Sequence, residues 1–229
     1  MDQEEKTVKK KREIVVPGEI IVSGDEFLPG DGTERDGKDI VSKRYGLSDE
    51  SGRLVKIIPL SGVFTARRGN VIIGRVSDLT FNGWLVDLGV ASNGFLPLAE
   101  CPRYINQNDM AEHFSIDDLM VAKISGVKGR GIDLTIKGRG LGKVEKGIII
   151  NVNSNKVPRI IGKEGSMISL IKEKSGCDIT VGQNGLIWIK GNKIEDEILA
   201  KNAIGYIEEK PFIEGLTDKM EGWFKEEKK

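Results

Sequence analysis

The sequence predicts a multidomain chain, β in its N-terminal and middle parts and α+β towards its C-terminus. Three observations carry this. Residues 13–65 hold short apolar runs broken by Gly, Pro and Asp, residues 66–140 hold five short runs at all-β spacing, and residues 146–210 change to a helical period. At 229 residues the chain is long enough for two or three small domains, each with a modest core.

Residues 1–12 are charged and are expected to form a disordered tail. In 13–65 the runs Ile14–Pro17, Glu19–Val22, Leu54–Pro59 and Gly62–Phe64 read as small strands joined by turns such as Pro29-Gly30-Asp31-Gly32-Thr33. Arg35–Arg44 is mostly polar, and the segment is too short and irregular for a catalytic domain.

The middle segment, 66–143, places strands at Asn70–Val76, Trp84–Leu88, Gly94–Leu98, Met120–Ser125 and Ile132–Ile136, the pattern of an OB-type barrel. Glu100–Leu119 is longer than a barrel connection needs, and Asp117 and Asp118 are placed to start a short helical turn. Gly138-Arg139-Gly140-Leu141-Gly142 has neither Gly-x-Gly-x-x-Gly spacing nor a Walker lysine, and reads as a flexible interdomain linker.

In 144–212 a strand at Gly147–Val152 precedes helices at Val157–Ile161 and Ser166–Lys174. A hairpin of Asp178–Val181 and Leu186–Lys190 follows across Gly182–Gly185, then a helix over Ile194–Glu209, giving β-α-α-β-β-α. The end, 213–229, reads as a tail with one amphipathic turn through Met220, Trp223 and Phe224.

The most informative short run is Val157-Pro158-Arg159-Ile160-Ile161-Gly162-Lys163-Glu164-Gly165-Ser166. Gly162 and Gly165 let the backbone turn sharply between two helices and approach a ligand with no Cβ in the way. The amides opening the second helix, near Ser166, carry partial positive charge that suits a phosphate. Lys156, Arg159, Lys163, Lys172 and Lys174 surround the loop against Glu164 and Glu173, and Glu164 works against phosphate binding. In KH domains such a loop clamps single-stranded nucleotides. Its candidate RNA contacts are Lys156, Arg159, Ile161, Gly162, Lys163, Gly165 and Ser166.

Lys+Arg and Asp+Glu both number 35, so a nucleic-acid face must come from local clustering. Arg67, Arg68, Arg75, Lys123, Lys128, Arg130, Lys137, Arg139 and Lys143 share their stretches with one acid, Asp133, while 77–122 holds seven acids against Arg103. A barrel brings its first and last strands together, so these cations are expected on one part of the surface. The candidate RNA contacts of the barrel are Arg67, Arg68, Arg75, Lys123, Lys128, Arg130, Lys137 and Arg139.

Other chemistries find little support. Cys101 and Cys177 form no CxxC, exclude a cysteine zinc site by count, and read as reduced thiols of a cytoplasmic protein, Cys177 buried. His113 sits in a polar stretch and reads as a surface residue. The carboxylates Asp109, Glu112, Asp117 and Asp118 lie in one polar loop without strand support, so neither a nuclease nor any other enzyme is expected. No metal or cofactor is expected. No apolar run of membrane-spanning length is present, and no membrane partner is expected.

The run from Val157 through Ile168, followed by Ser175-Gly176-Cys177 and Ile179, resembles a type I KH domain. Gly74-Arg75-Val76, Gly83-Trp84-Leu85-Val86-Asp87-Leu88-Gly89 and Gly94-Phe95-Leu96-Pro97 resemble an S1-type RNA-binding barrel. With the short β domain ahead of them, carrying Val16-Pro17-Gly18-Glu19 and the Pro29–Thr33 turn, the order resembles the RNA-binding cap subunits of the archaeal exosome, ribosomal-RNA-processing type. The resemblance implies a cap of three copies on a hexameric ring of RNase PH-like subunits, with the N-terminal domain docked on the ring and the zinc-ribbon sister subunit as a possible companion. It implies capture of single-stranded, A-rich RNA 3′ ends for phosphorolysis in the ring. An adaptor that packs against partners without touching RNA is the alternative. One departure stands out: where S1 barrels carry stacking side chains, this chain has Asn82, Leu85 and Pro97. Phe81, Trp84 and Phe95 are their neighbours and are expected to point away, so the barrel is expected to grip phosphates more than bases.

Overall fold

The computed structural model describes residues 12–129, 131–210 and 215–227. Residues 1–11, Arg130, 211–214 and 228–229 lie outside them, and with them the expected disordered tail and the expected RNA contact of Arg130. The chain divides into two compact units, Met1–Gly62 and Val63–Lys229.

The first unit holds seven short strands, β1 (Ile14–Val15), β2 (Ile20–Ser23), β3 (Leu28–Pro29), β4 (Thr33–Asp36), β5 (Asp39–Ser42), β6 (Gly46–Ser51) and β7 (Leu54–Pro59). They form one sheet in the order β1-β6-β7-β3 and another in the order β2-β5-β4. Val15, Ile40, Val55 and Ile57 fill a small core. Gly46 permits it: a Cβ there would lie 2.3 Å from Ile57 Cγ2, so the β6 backbone comes closer to Ile57 than any side chain allows. Polar Arg35–Arg44 contributes β4 and β5 through a tight turn at Gly37, whereas Gly62–Phe64 forms no strand.

In the second unit β8 (Val71–Thr80), β9 (Gly83–Asp87), β10 (Gly94–Pro97), β11 (Leu119–Lys128) and β12 (Gly131–Thr135) make a closed five-stranded barrel. β10 runs parallel to β12 and β11 closes the ring by pairing with both β12 and β8. The long 98–118 connection seals one end. Its Ile105, Met110 and Phe114 join the barrel core, the Trp84 indole N–H donates to Phe114 O at 3.1 Å, and the two rings meet edge to face at 5.4 Å. Trp84 is therefore core. The helical turn of this connection, α1 (Met110–His113), precedes Asp117 and Asp118; Asp118 instead accepts from the Ser115 N–H at 2.7 Å and closes a turn into β11.

The expected linker is not free. Gly142–Lys143 forms β13, paired with β11, and the Val144 N–H donates to Leu119 O at 2.8 Å. The remainder is β14 (Ile148–Asn151), α2 (Val157–Ile161), α3 (Ser166–Ser175), β15 (Asp178–Val181), β16 (Leu186–Lys190) and α4 (Ile194–Glu209). The sheet order is β14-β16-β15, wholly antiparallel, with α2, α3 and α4 over one face. A last helix, α5 (Leu216–Glu227), is longer than the single turn expected and buries Leu216, Met220 and Phe224 in the same core.

Candidate nucleic-acid interface

α2 stops at Gly162, whose φ of 76° no L side chain adopts easily, and whose N–H donates to Pro158 O at 3.0 Å. A Cβ at Gly162 would sit 2.7 Å from Met167 N and Cβ, while one at Gly165, φ 80°, would meet nothing closer than 4.0 Å. The first glycine is thus demanded by packing as well as by backbone, the second by backbone alone. Between them Glu164 is held left-handed at φ 53°, with Lys163 and Glu164 both exposed. The exposed Ser166 begins α3, so the first α3 amides open onto the loop.

Arg159 is exposed on α2, and Ile161 is half-buried against the KH core. Lys156 is placed differently from its expected role. Its ammonium donates to Glu208 O at 2.8 Å, in the last turn of α4, where a cation satisfies a free carbonyl and the negative end of the helix dipole.

The barrel cations do not form one patch. Arg67 and Arg68 lie in the turn before β8, held beside β11 by the Gly69 N–H donating to Ile124 O at 2.7 Å. Lys123 is exposed on β11 opposite Thr135. Lys128 stands at the β11–β12 turn, paired with Asp133 at 2.7 Å, whereas Lys137 and Arg139 follow β12 at the opposite end. Antiparallel pairing of β11 with β12 forces that separation. Arg75 pairs with Asp117 at 3.6 Å, and Lys143 pairs with Asp118. Among the described residues Arg68, Lys123, Lys137 and Arg139 make no ion pair.

Register also corrects the expectation for Phe95. It opposes Leu85 across the β9–β10 ladder and lies two residues from Pro97, so all three share the outer face. A Cβ on Gly83 would lie 2.9 Å from Phe95 Cζ, so the ring tip lies over this bare backbone. Phe81, in the β8–β9 turn, is 81% exposed.

A feature read from sequence only as a hairpin turn proves to join barrel and KH fold. In the β15–β16 turn the Gln183 N–H donates to Val71 O at 2.8 Å and its Oε1 accepts from Val71 N at 3.0 Å. Asn184 Oδ1 accepts from Ile73 N at 3.2 Å, and its Nδ2 donates to Ile73 O at 2.8 Å and Leu88 O at 3.0 Å. The two side chains act like a short added strand on the outer side of β8. Gly182 lets them reach it, since a Cβ there would lie 2.9 Å from Ile73 N. The signal was present as two amide side chains between glycines, but nothing in the local sequence says which backbone they meet.

A family model described as a KH domain matches residues 147–195. Exosome complex component Rrp4 of Pyrococcus furiosus is 37% identical over 92% of this chain and 82% of its own length. The chain belongs to the Rrp4 family. The Rrp4 proteins of Methanothermus fervidus and Methanobrevibacter smithii are each 36% identical over 92% of this chain, covering 94% and 70% of their own lengths. Among solved structures, a protein described as an exosome complex RNA-binding protein superposes with a TM-score of 0.65 at 30% identity, covering 73% of this chain and 98% of that one. These Rrp4 relatives are named as components of an assembly and the structural neighbour as an RNA-binding protein, none of them as an enzyme. Among the described residues no cluster of His, Cys, Asp and Glu is arranged to hold a metal ion, and no helix is long and apolar enough to cross a membrane.

Proposed function

We propose that this Rrp4-family chain is a non-catalytic RNA-binding cap component of an exosome. It captures single-stranded RNA 3′ ends, A-rich ones included, and passes them to a phosphorolytic ring for 3′–5′ degradation in the cytoplasm. The observation that carries this is the Gly162–Gly165 loop, with two left-handed glycines and the exposed start of α3, in a chain collinear with Rrp4 proteins over 92% of its length. In this reading Arg159, Lys163, Ser166 and the loop amides serve the KH side. Arg67, Arg68, Lys123, Lys137 and Arg139 serve the barrel, Arg75 and Lys128 being held by Asp117 and Asp133.

The proposed partners are a hexameric ring of RNase PH-like subunits, further copies of this chain, and the zinc-ribbon sister subunit. Ring docking is assigned to 13–65, and the exposed Ile14, Val16 and Ile20 of that unit, each more than half accessible, support it, since apolar side chains clustered along one short stretch favour a protein interface. The remaining divisions are 66–143 for the barrel, 144–212 for the KH domain and 213–229 for the C-terminal tail and helix.

Co-purification from native extract tests the assembly: RNase PH-like chains should accompany this one. The purified chain should retain labelled single-stranded RNA on a filter at low ionic strength, yet leave it uncut with magnesium and phosphate present. A chain that binds ring subunits but retains no RNA would be an adaptor instead.

A further inference from the structure

Three Asn-Gly pairs occur in the chain, Asn82–Gly83, Asn93–Gly94 and Asn184–Gly185. Such a pair is open to deamidation, because the glycine nitrogen, with no Cβ beside it, can turn back onto the asparagine amide. Asn82 and Asn93 are exposed, and their side chains make no hydrogen bond among the described residues. Asn184 differs. It is half-buried, and its side chain ties the KH fold to the barrel through the three bonds to Ile73 and Leu88. The peptide that follows it is fixed as well. The Gly185 N–H donates to Gly182 O at 3.0 Å, and Gly185 O accepts from the Val152 N–H at 2.9 Å. A Cβ on Gly185, φ 94°, would lie 2.3 Å from Val152 O, so this backbone is packed tightly against the end of β14. With both the amide and the nitrogen held, the two can meet only when the joint opens.

We propose that Asn184 is a deamidation site gated by this joint, and that its conversion to aspartate or isoaspartate releases the KH fold from the barrel. In the open joint Gly185 N attacks Asn184 Cγ. A C–N bond forms, the Cγ–Nδ2 bond breaks, and ammonia leaves with the proton given up by Gly185 N. Water then opens the cyclic imide at either of its carbonyls. The net change turns an amide and water into a carboxylic acid and ammonia, with no oxidation or reduction.

Neither product restores the joint. A carboxylate only accepts, so the Ile73 N–H keeps a partner while Ile73 O and Leu88 O lose their donor and face a negative charge. The isoaspartate form adds an atom to the main chain of the turn, whose closure depends on the Gly182 N–H donating to Leu186 O at 2.8 Å. A transient opening thereby becomes permanent. No RNA takes part in this step, so it stands or falls separately from the RNA-binding reading.

The test ages the purified full chain in mildly alkaline buffer and follows the three Asn-Gly peptides by mass spectrometry, with the urea-unfolded chain as the unprotected reference. Asn184 in the folded parent should convert more than about tenfold more slowly than in urea. Gln183→Ala, which removes the Oε1 bond to Val71 N, should convert at Asn184 about fivefold faster than the folded parent, with Asn82 and Asn93 unchanged. Chains carrying the acid at position 184 should be the ones that protease cuts within 138–147, and Asn184→Asp should be cut there without ageing. Conversion in the folded parent as fast as in urea, or equal in parent and Gln183→Ala, overturns gating by the joint. Converted chains, or Asn184→Asp, that resist protease as well as the fresh parent overturn the release.

Discussion

At the scale of single residues, the Gly162–Gly165 loop shows two glycines doing different work. Gly162→Ala puts a methyl 2.7 Å from Met167 N and Cβ at φ 76°, combining overlap with backbone strain. It should cost about 3 kcal/mol in a urea melt, whereas Gly165→Ala, strained in backbone but with open space, should cost about 1 kcal/mol. Equal losses would show that the close approach to Met167 is relieved at no cost. Binding studies on the loop should therefore avoid Gly162 and use its neighbour. Glu164 occupies a left-handed position that asparagine tolerates better, and in the proposed RNA contact its carboxylate would face the phosphates. Glu164→Asn should tighten single-stranded RNA binding several-fold at low ionic strength, in a filter assay, with no loss of thermal stability.

At the scale of elements, the β15–β16 turn decides whether barrel and KH fold move together. Asn184→Ala removes three hydrogen bonds and leaves the Ile73 N–H and carbonyl without their partner, a loss of about 2–3 kcal/mol. Calorimetry should show one transition for the 63–229 unit in the parent and two in the variant, and protease should cut the variant within 138–147; an unsplit transition in the variant would mean that the packing of β8 against β15 and β16 suffices alone. The β11–β13 seam carries a pH-dependent contribution. Burial works to raise the Asp118 carboxyl, but the Lys143 ammonium and the Ser115 N–H prevail and hold it below its ordinary value. A carboxyl depressed in the folded state stabilises above its unfolded pKa, near 4, and the contribution disappears as pH falls through the lower folded value. Asp118→Asn should thus cost about 0.5–1 kcal/mol at pH 7 and almost nothing near pH 2, read from urea midpoints. What the sequence made legible at this scale tracks periodicity. The five barrel strands and α2, α3 and α4 stand out because apolar residues repeat at period two or 3.6, whereas β6, Gly-Leu-Ser-Asp-Glu-Ser, is too polar to be seen. The Gly-x-x-Gly loop was legible because its glycines are local requirements. Lys156 and Asn184 were not, because their partners lie 52 and 111 residues away.

At the scale of the whole molecule, the chain is electrically neutral, with 35 basic and 35 acidic side chains, so its RNA affinity has to come from a few well-placed cations. Internal pairing narrows the choice, since Arg75, Lys128 and Lys143 are held by Asp117, Asp133 and Asp118, and Lys156 by the end of α4. Arg68, Lys123, Lys137, Arg139 and Lys163 remain exposed without an ion pair among the described residues, and single strands release about 0.7 counterion per neutralised phosphate. Five such contacts give a slope of log K against log salt of about −3.5, far shallower than the nine cations of the barrel stretches and the five around the loop would give together. Lys123→Gln and Lys137→Gln should each make the slope shallower by about 0.7, while Lys128→Gln, which frees Asp133, should leave it within error or weaken binding through the exposed acid. A slope steeper than about −6 would mean that the ion pairs open to receive RNA; a flat one would mean that no phosphate is held, and the RNA reading would fall with it.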